Sequence, residues 1–219
     1  MGIFEEKSFC SSRTGQTLRY LCRGSGLAGR QPLLIYLHGA GSRGSELSQM
    51  QPVGPIRELE KGREIPAKVL APQCWGDTWF ELFETLIDFV SEASEAEDVD
   101  PNRIYLTGSS MGAYAAWALA MTCPERFAAL AAVCGGGMYW NAARLKNLPI
   151  WAFHGALDEV VYPEESLKMV GSVNRCGGQA RLTVFPHADH NAWDPAFSSD
   201  ELWAWLFEQT KEKTAHELQ

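Results

Sequence analysis

Six short apolar runs constrain this chain more than any other feature. LLIYL (33–37), AKVLA (67–71), RIYLT (103–107), LAAVC (130–134), IWAF (150–153) and LTVF (182–185) are aliphatic or β-branched, and most show no polar alternation. A strand with one wet face alternates apolar and polar side chains. A strand apolar on both sides must be covered on both faces, as parallel strands of an α/β sheet are. Segments of helical period separate the runs, at about 79–96, 111–122, 164–175 and 200–210. In the first, Phe80, Phe83, Leu86, Ile87 and Val90 recur at three- and four-residue steps, and Pro101-Asn102 then marks a break before the next run. This alternation predicts an open, mostly parallel α/β sheet with right-handed crossovers and helices on both faces.

The first forty residues differ. KSFCSS and QTLRYLCR flank Arg13-Thr14-Gly15, which reads as an antiparallel hairpin leading into the parallel part, and Gly24 to Pro32 reads as a loop. No stretch is long enough for a separate lid domain. The 219 residues fit a single domain, with a charged tail from about 211 to 219. Ligands of such sheets sit beyond the C-terminal ends of the strands.

Composition narrows the function classes. A net charge of −8 without a Lys/Arg block argues against a nucleic-acid or anionic-membrane partner. No apolar run reaches the roughly 18 residues of a membrane span. The start, MGIFEEKSFC, has two glutamates and no apolar core, so no signal peptide is expected. Six cysteines (Cys10, Cys22, Cys74, Cys123, Cys134, Cys176) are scattered without a C-x-x-C pair, against zinc-ribbon and thioredoxin readings. Cys123 and Cys134 lie in apolar surroundings and read as small core residues, and a reducing cytoplasm is the expected location. H-E-x-x-H is absent, so no metal site is expected.

One strand-to-helix junction carries chemistry. Gly108-Ser109-Ser110-Met111-Gly112 matches G-x-S-x-G, with a β-forming run entering and an Ala-rich helix, read as amphipathic, leaving. Glycines on both sides let strand and helix approach, and the central serine then projects from a strained turn. Ser110 is central in this frame; Ser109 is expected to pack or hydrogen-bond locally. The bland alternative is a glycine-bracketed turn with a capping serine.

A serine hydroxyl needs a base, and the base an orienting carboxylate, in the chain order Ser, Asp or Glu, His. IWAFHGALDEVV (150–161) offers Asp158 after a strand, with Glu159 as fallback. LTVFPHADHNAW (182–193) offers His187 and His190, of which His190 has the longer reach back to Ser110. His38 and His154 each precede a glycine and read as loop-shaping residues; His216 falls in the tail. For the oxyanion, the Met111 N–H follows the nucleophile, and YLHGAGSRG (36–44) supplies the Ala40 N–H with Gly39 and Gly41 as shapers. That loop lacks the lysine of a phosphate cradle. Trp75, Trp79, Tyr139, Trp140 and Trp193 fall in segments expected at the same rim, where they either line the substrate cleft or fill core.

HGAGSRG, APQC, TGSSMGAYAAW, WAFHGALDEVV and ADHNAW, in that order, resemble the α/β-hydrolase superfamily from about residue 15 to residue 208. More narrowly they are similar to its lidless phospholipase/carboxylesterase and dienelactone-hydrolase-like branch, which includes predicted peptidases and feruloyl or polyhydroxybutyrate-type esterases. The resemblance implies an eight-stranded, mostly parallel sheet. It implies a Ser110–Asp158–His190 triad, an oxyanion hole at Ala40 and Met111, and no cofactor. Dienelactone hydrolases proper use cysteine where this chain has Ser110, which argues for an esterase. Many relatives have Gly-Gly where this chain has Gly112-Ala113. The expected reaction is two-step acyl transfer on small, soluble, short-acyl or aromatic esters. A thioesterase or peptidase would keep the same residues, and a non-catalytic binding protein of this fold would usually have lost one. Oligomerisation is left open.

Overall fold

Leu33, Ile35 and Leu37 leave one face of strand β3 (Gln31–Leu37), Leu34 and Tyr36 leave the other, and all five are buried. That double burial is why the run carries no polar alternation. In the computed structural model, which describes residues 2–211, β3 lies inside an eight-stranded sheet. The other strands are β1 (Glu5–Cys10), β2 (Thr17–Arg23), β4 (Lys68–Pro72), β5 (Val99–Ser109), β6 (Ala129–Val133), β7 (Ile150–Gly155) and β8 (Ala180–Phe185). Their order is β1-β2-β4-β3-β5-β6-β7-β8. β1 and β2 form the antiparallel hairpin, β2 joins β4 antiparallel, and every pairing from β4 to β8 is parallel.

The two faces carry separate cores. Leu33, Ile35, Leu106 and Leu130 pack with Leu86 and Val90 of α2 (Phe83–Ser94), Trp117 and Leu119 of α3 (Met111–Thr122), and Met169 and Val173 of α4 (Glu164–Arg175). On the opposite face Leu34, Tyr105 and Val133 pack with residues of α1 (Pro55–Glu60), α5 (Trp193–Ser198) and α6 (Asp200–Glu208). The Arg57 guanidinium on α1 pairs with the Asp194 carboxylate on α5 across that layer. No helix among the described residues is long and apolar enough to cross a membrane. His216 and nearly all of the expected charged tail lie outside the described residues.

Several expectations need correction. The helix placed at 79–96 begins as a 3-10 turn, Trp79–Leu82, closed by a reciprocal Thr78–Glu81 capping box, and turns α-helical only at Phe83. Pro101-Asn102 does not precede β5 but lies within it. Pairing advances two residues on β3 (Gln31 to Leu33) for five on β5 (Val99 to Ile104), so the proline sits in a bulge that needs no ladder donor. α3 is not amphipathic: nine of its twelve residues are buried, and its alanines let it lie close to the sheet.

That closeness sets the shape of the molecule's centre. A Cβ on Gly112 would lie 1.9 Å from the Leu37 carbonyl oxygen, and one on Gly108 would lie 2.4 Å from that of Gly112. Gly112→Ala is therefore expected to destabilise the fold by more than about 3 kcal/mol, since only backbone can move aside. Gly171→Ala, on α4 with only the flexible Arg175 head nearby, should stabilise it by up to about 1 kcal/mol. Denaturant unfolding of the two variants checks both signs.

Candidate active site

β5 ends and α3 begins with one residue between them, Ser110, whose backbone is at φ 53°, ψ −122°. For a residue with a Cβ this region costs about 1–3 kcal/mol. The surroundings hold it there: the Ser110 N–H donates to the Val133 carbonyl at 2.9 Å, and its own carbonyl accepts from Ala113 at 2.8 Å. The side chain is thus held beyond the C-terminal ends of the parallel strands. Its neighbour Ser109 is buried with Oγ 3.0 Å from the Tyr36 hydroxyl, a packing position.

Asp158 lies in the turn after β7, its side chain fully buried. Oδ1 accepts the Val160 and Val161 amides, each at 2.9 Å, and Oδ2 accepts Nδ1–H of His190 at 2.7 Å. Burial alone would raise the Asp158 pKa; the hydrogen bonds from His190, Val161 and Val160 outweigh it and hold the carboxyl below its ordinary value. His190, in the loop after β8, places Nε2 2.9 Å from Ser110 Oγ. One neutral tautomer satisfies both contacts, with Nδ1–H donating to the carboxylate and Nε2 accepting from the hydroxyl. Trp193 packs edge-on against the imidazole, centroids 5.2 Å apart. His187 and Glu159, the alternatives in sequence, are exposed and absent from this chain of contacts.

The loop after β3 closes the other side. A Cβ on Gly39 would be 3.3 Å from Ser110 Cβ and 3.9 Å from its Oγ, so this loop runs against the serine. His38 is buried; its Nε2 accepts the Cys74 amide at 2.9 Å, which makes Nδ1 the protonated nitrogen, donating to the Gly39 carbonyl at 2.7 Å. Ser42 N–H reaches the same carbonyl at 3.2 Å. With that oxygen held, the trans peptide fixes the Ala40 N–H on the opposite side. Ala40 opens the 3-10 turn Ala40–Ser42 and Met111 opens α3, so neither amide has a carbonyl of its own element to bond. The β4 loop braces this segment through Gly44 N–H on the Cys74 carbonyl, Gln73 Nε2 on that of Glu46, and Arg43 on that of Asp77.

Ser110, His190, Gly39 and Ala40 border a cavity of about 270 Å³ whose other walls include Gln51, Val53, Val160 and Trp193. A second, more open hollow of about 370 Å³ shares Val160, His190 and Trp193 and extends past Leu157. Of the aromatic candidates, Trp193 lines this cleft. Trp79 does not: it is fully buried beneath the loop after β3, its indole N–H donating to the His38 carbonyl and its ring against His38. Trp75, held by the Thr17 carbonyl, and Tyr139, packed on Trp140, are surface residues outside both hollows. Gln51, Val53 and Val160 carry no motif, and only folding brings them to the serine.

Cys134 Sγ, an Asp158 oxygen and a His190 nitrogen lie within 4.8 Å of one another. They are a poor metal set, because the carboxylate and imidazole bond each other and burial pushes the thiol up to about 12. The Cys134 S–H instead donates to the His190 carbonyl at 3.2 Å and holds that loop.

The phospholipase/carboxylesterase family model matches residues 77–199, which include Ser110, Asp158 and His190. The chain belongs to this family. No curated protein matches it. Among solved structures, a thermostable esterase is 30% identical with a TM-score of 0.82 over 96% of this chain and 64% of its own. The chain therefore spans less than two thirds of that esterase's length. Est1E from Butyrivibrio proteoclasticus (16% identity, TM-score 0.69, 93% of this chain and 96% of its own) has the same fold. So does an acylaminoacyl peptidase of Pyrococcus horikoshii (15%, 0.66, 86% and 38%). Sheet order, N-terminal hairpin and helices on both faces are those of an α/β-hydrolase.

In this phospholipase/carboxylesterase family member, burial holds the His38 pKa down to about 4 from 6.5. The unfolded chain takes up this proton near pH 6.5 and the native protein only near 4. Stability present above 6.5 is thus lost as the pH falls towards 4. His38→Asn should remove up to about 3 kcal/mol of that pH dependence, measured as unfolding free energy across this window.

Proposed function

We propose that this chain hydrolyses carboxylic esters through an acyl-enzyme on Ser110. The unbroken chain of contacts Ser110 Oγ–His190 Nε2, His190 Nδ1–Asp158 Oδ2, bordering a cavity, supports this reading most strongly. His190 takes the hydroxyl proton as Oγ attacks the ester carbonyl. Asp158, ionised and buried, holds the ring and stabilises the imidazolium that forms. The Ala40 and Met111 amides serve the developing oxyanion, two fixed dipoles needing no reorganisation during reaction. His190 then gives its proton to the leaving alcohol, and water repeats the sequence on the acyl-enzyme.

A cavity of about 270 Å³ walled by Val53, Val160 and Trp193 suits a short acyl or single-ring aromatic group, and the open hollow beside His190 suits a leaving alcohol of varied size. The family and the thermostable esterase favour esters over amides. No step requires a cofactor.

Turnover of p-nitrophenyl acetate tests the reading. Ser110→Ala and His190→Ala should each lower kcat by at least roughly 10³, while His187→Ala stays near wild type. A matched thioester and anilide should be cleaved more slowly than the ester. Equal rates for wild type and Ser110→Ala reject the reading.

A further inference from the structure

A second imidazole reaches the oxygen that His190 uses. His154, on β7, is fully buried, with Nε2 2.8 Å from the Val161 carbonyl and 3.2 Å from Asp158 Oδ2. A carbonyl only accepts, so Nε2 carries a proton and donates it to Val161, with Asp158 Oδ2 packed beside the same nitrogen. Nδ1 lies 2.7 Å from Ser166 Oγ on α4, which also lies 2.9 Å from the Gly135 carbonyl, so the one hydroxyl proton serves Nδ1 or that carbonyl. Gly135 in turn lies against the start of α3: a Cβ there would sit 2.5 Å from Ala113 Cβ and 3.2 Å from the Ser110 carbonyl oxygen. Neighbouring groups thus run from the Ser110 side chain through His190, Asp158, His154 and Ser166 to Gly135, beside the start of α3.

We propose that His154 is a positioning residue for Asp158, an inference that rests on the role given to Ser110 above. The Val160 and Val161 amides fix Oδ1, and the partly exposed His190 is the hydrogen-bond donor to Oδ2, so the orientation of the carboxylate rests on how firmly its turn is held. His154 donates to the Val161 carbonyl and so ties the Asp158–Val161 turn to the end of β7, while its ring packs 3.2 Å from Oδ2. The turn that carries the oxygen orienting His190 is thereby anchored to β7. His154 borders neither hollow at Ser110, so its effect reaches the reaction through the carboxylate.

The test is a double-mutant cycle on p-nitrophenyl acetate hydrolysis. His154→Met, similar in bulk but without the donor, should lower kcat about 10- to 100-fold with KM within about twofold. His154→Gln, whose amide nitrogen can stand near the position of Nε2, should recover most of that loss. In an Asp158→Asn background, His154→Met should change kcat by less than about twofold, because the group it positions is gone. The same fold loss in both backgrounds, equal losses in the Met and Gln variants, or an effect confined to KM overturns the proposal. Circular dichroism checks folding; if His154→Met is unfolded, Ser166→Ala, which removes the hydroxyl between Nδ1 and the Gly135 carbonyl, takes its place in the cycle with the same two outcomes. Full activity in Ser110→Ala sinks the esterase reading and this inference together, whereas loss there with an additive cycle sinks this inference only.

Discussion

Everything at the centre of this protein depends on how closely α3 lies against β3 and β5. Gly112 touches the Leu37 carbonyl and Gly108 touches Gly112, so there is no room for a side chain at either position. A strand that must reverse into a helix at that distance has one residue in which to turn, and Ser110 takes a left-handed φ to do it. The strain is local and the surrounding bonds over-determine it. The same constraint explains why α3 is built of alanine and is apolar on all sides.

Around that fixed point, the other groups arrive from separate strands and are held by different means. Asp158 is buried but keeps its charge through hydrogen bonds that outweigh desolvation. The His190 loop is pinned by the Cys134 thiol, whose own residue has φ 52°, the other described non-glycine position with positive φ. The loop after β3 is held through His38, a neutral imidazole joining the ends of β3 and β4. These are polar contacts of buried groups, where an unpaired partner is costly and geometry is correspondingly well defined.

The sheet was legible because burial on two faces leaves a direct mark: five consecutive apolar residues at 33–37 have no other ready explanation. The hairpin before it was marked by its turn residues. Pro101 misled because a bulge can absorb a proline that a regular ladder cannot. α1 left no signal, being six residues long and set after Gly54 at φ 61°. The positions of Ser110, Asp158 and His190 each follow from a strand end, and the structure brings the three within hydrogen-bond reach. Trp79 was indistinguishable from Trp75 or Trp193 by sequence, since depth beneath a loop is set by packing alone. His154 looked like a loop shaper; its contacts with Val161 and Ser166 exist only once β7 and α4 are assembled.

The central claim is that the hydroxyl of residue 110 is the group that becomes acylated. Incubation with a fluorophosphonate, which phosphonylates an activated serine hydroxyl, followed by peptide mass spectrometry, tests it most directly. One stoichiometric adduct is expected on the peptide containing Ser110, forming at least about 100-fold more slowly when His190 is replaced by alanine. An adduct on another residue, or labelling of residue 110 at an unchanged rate without the imidazole, would contradict it.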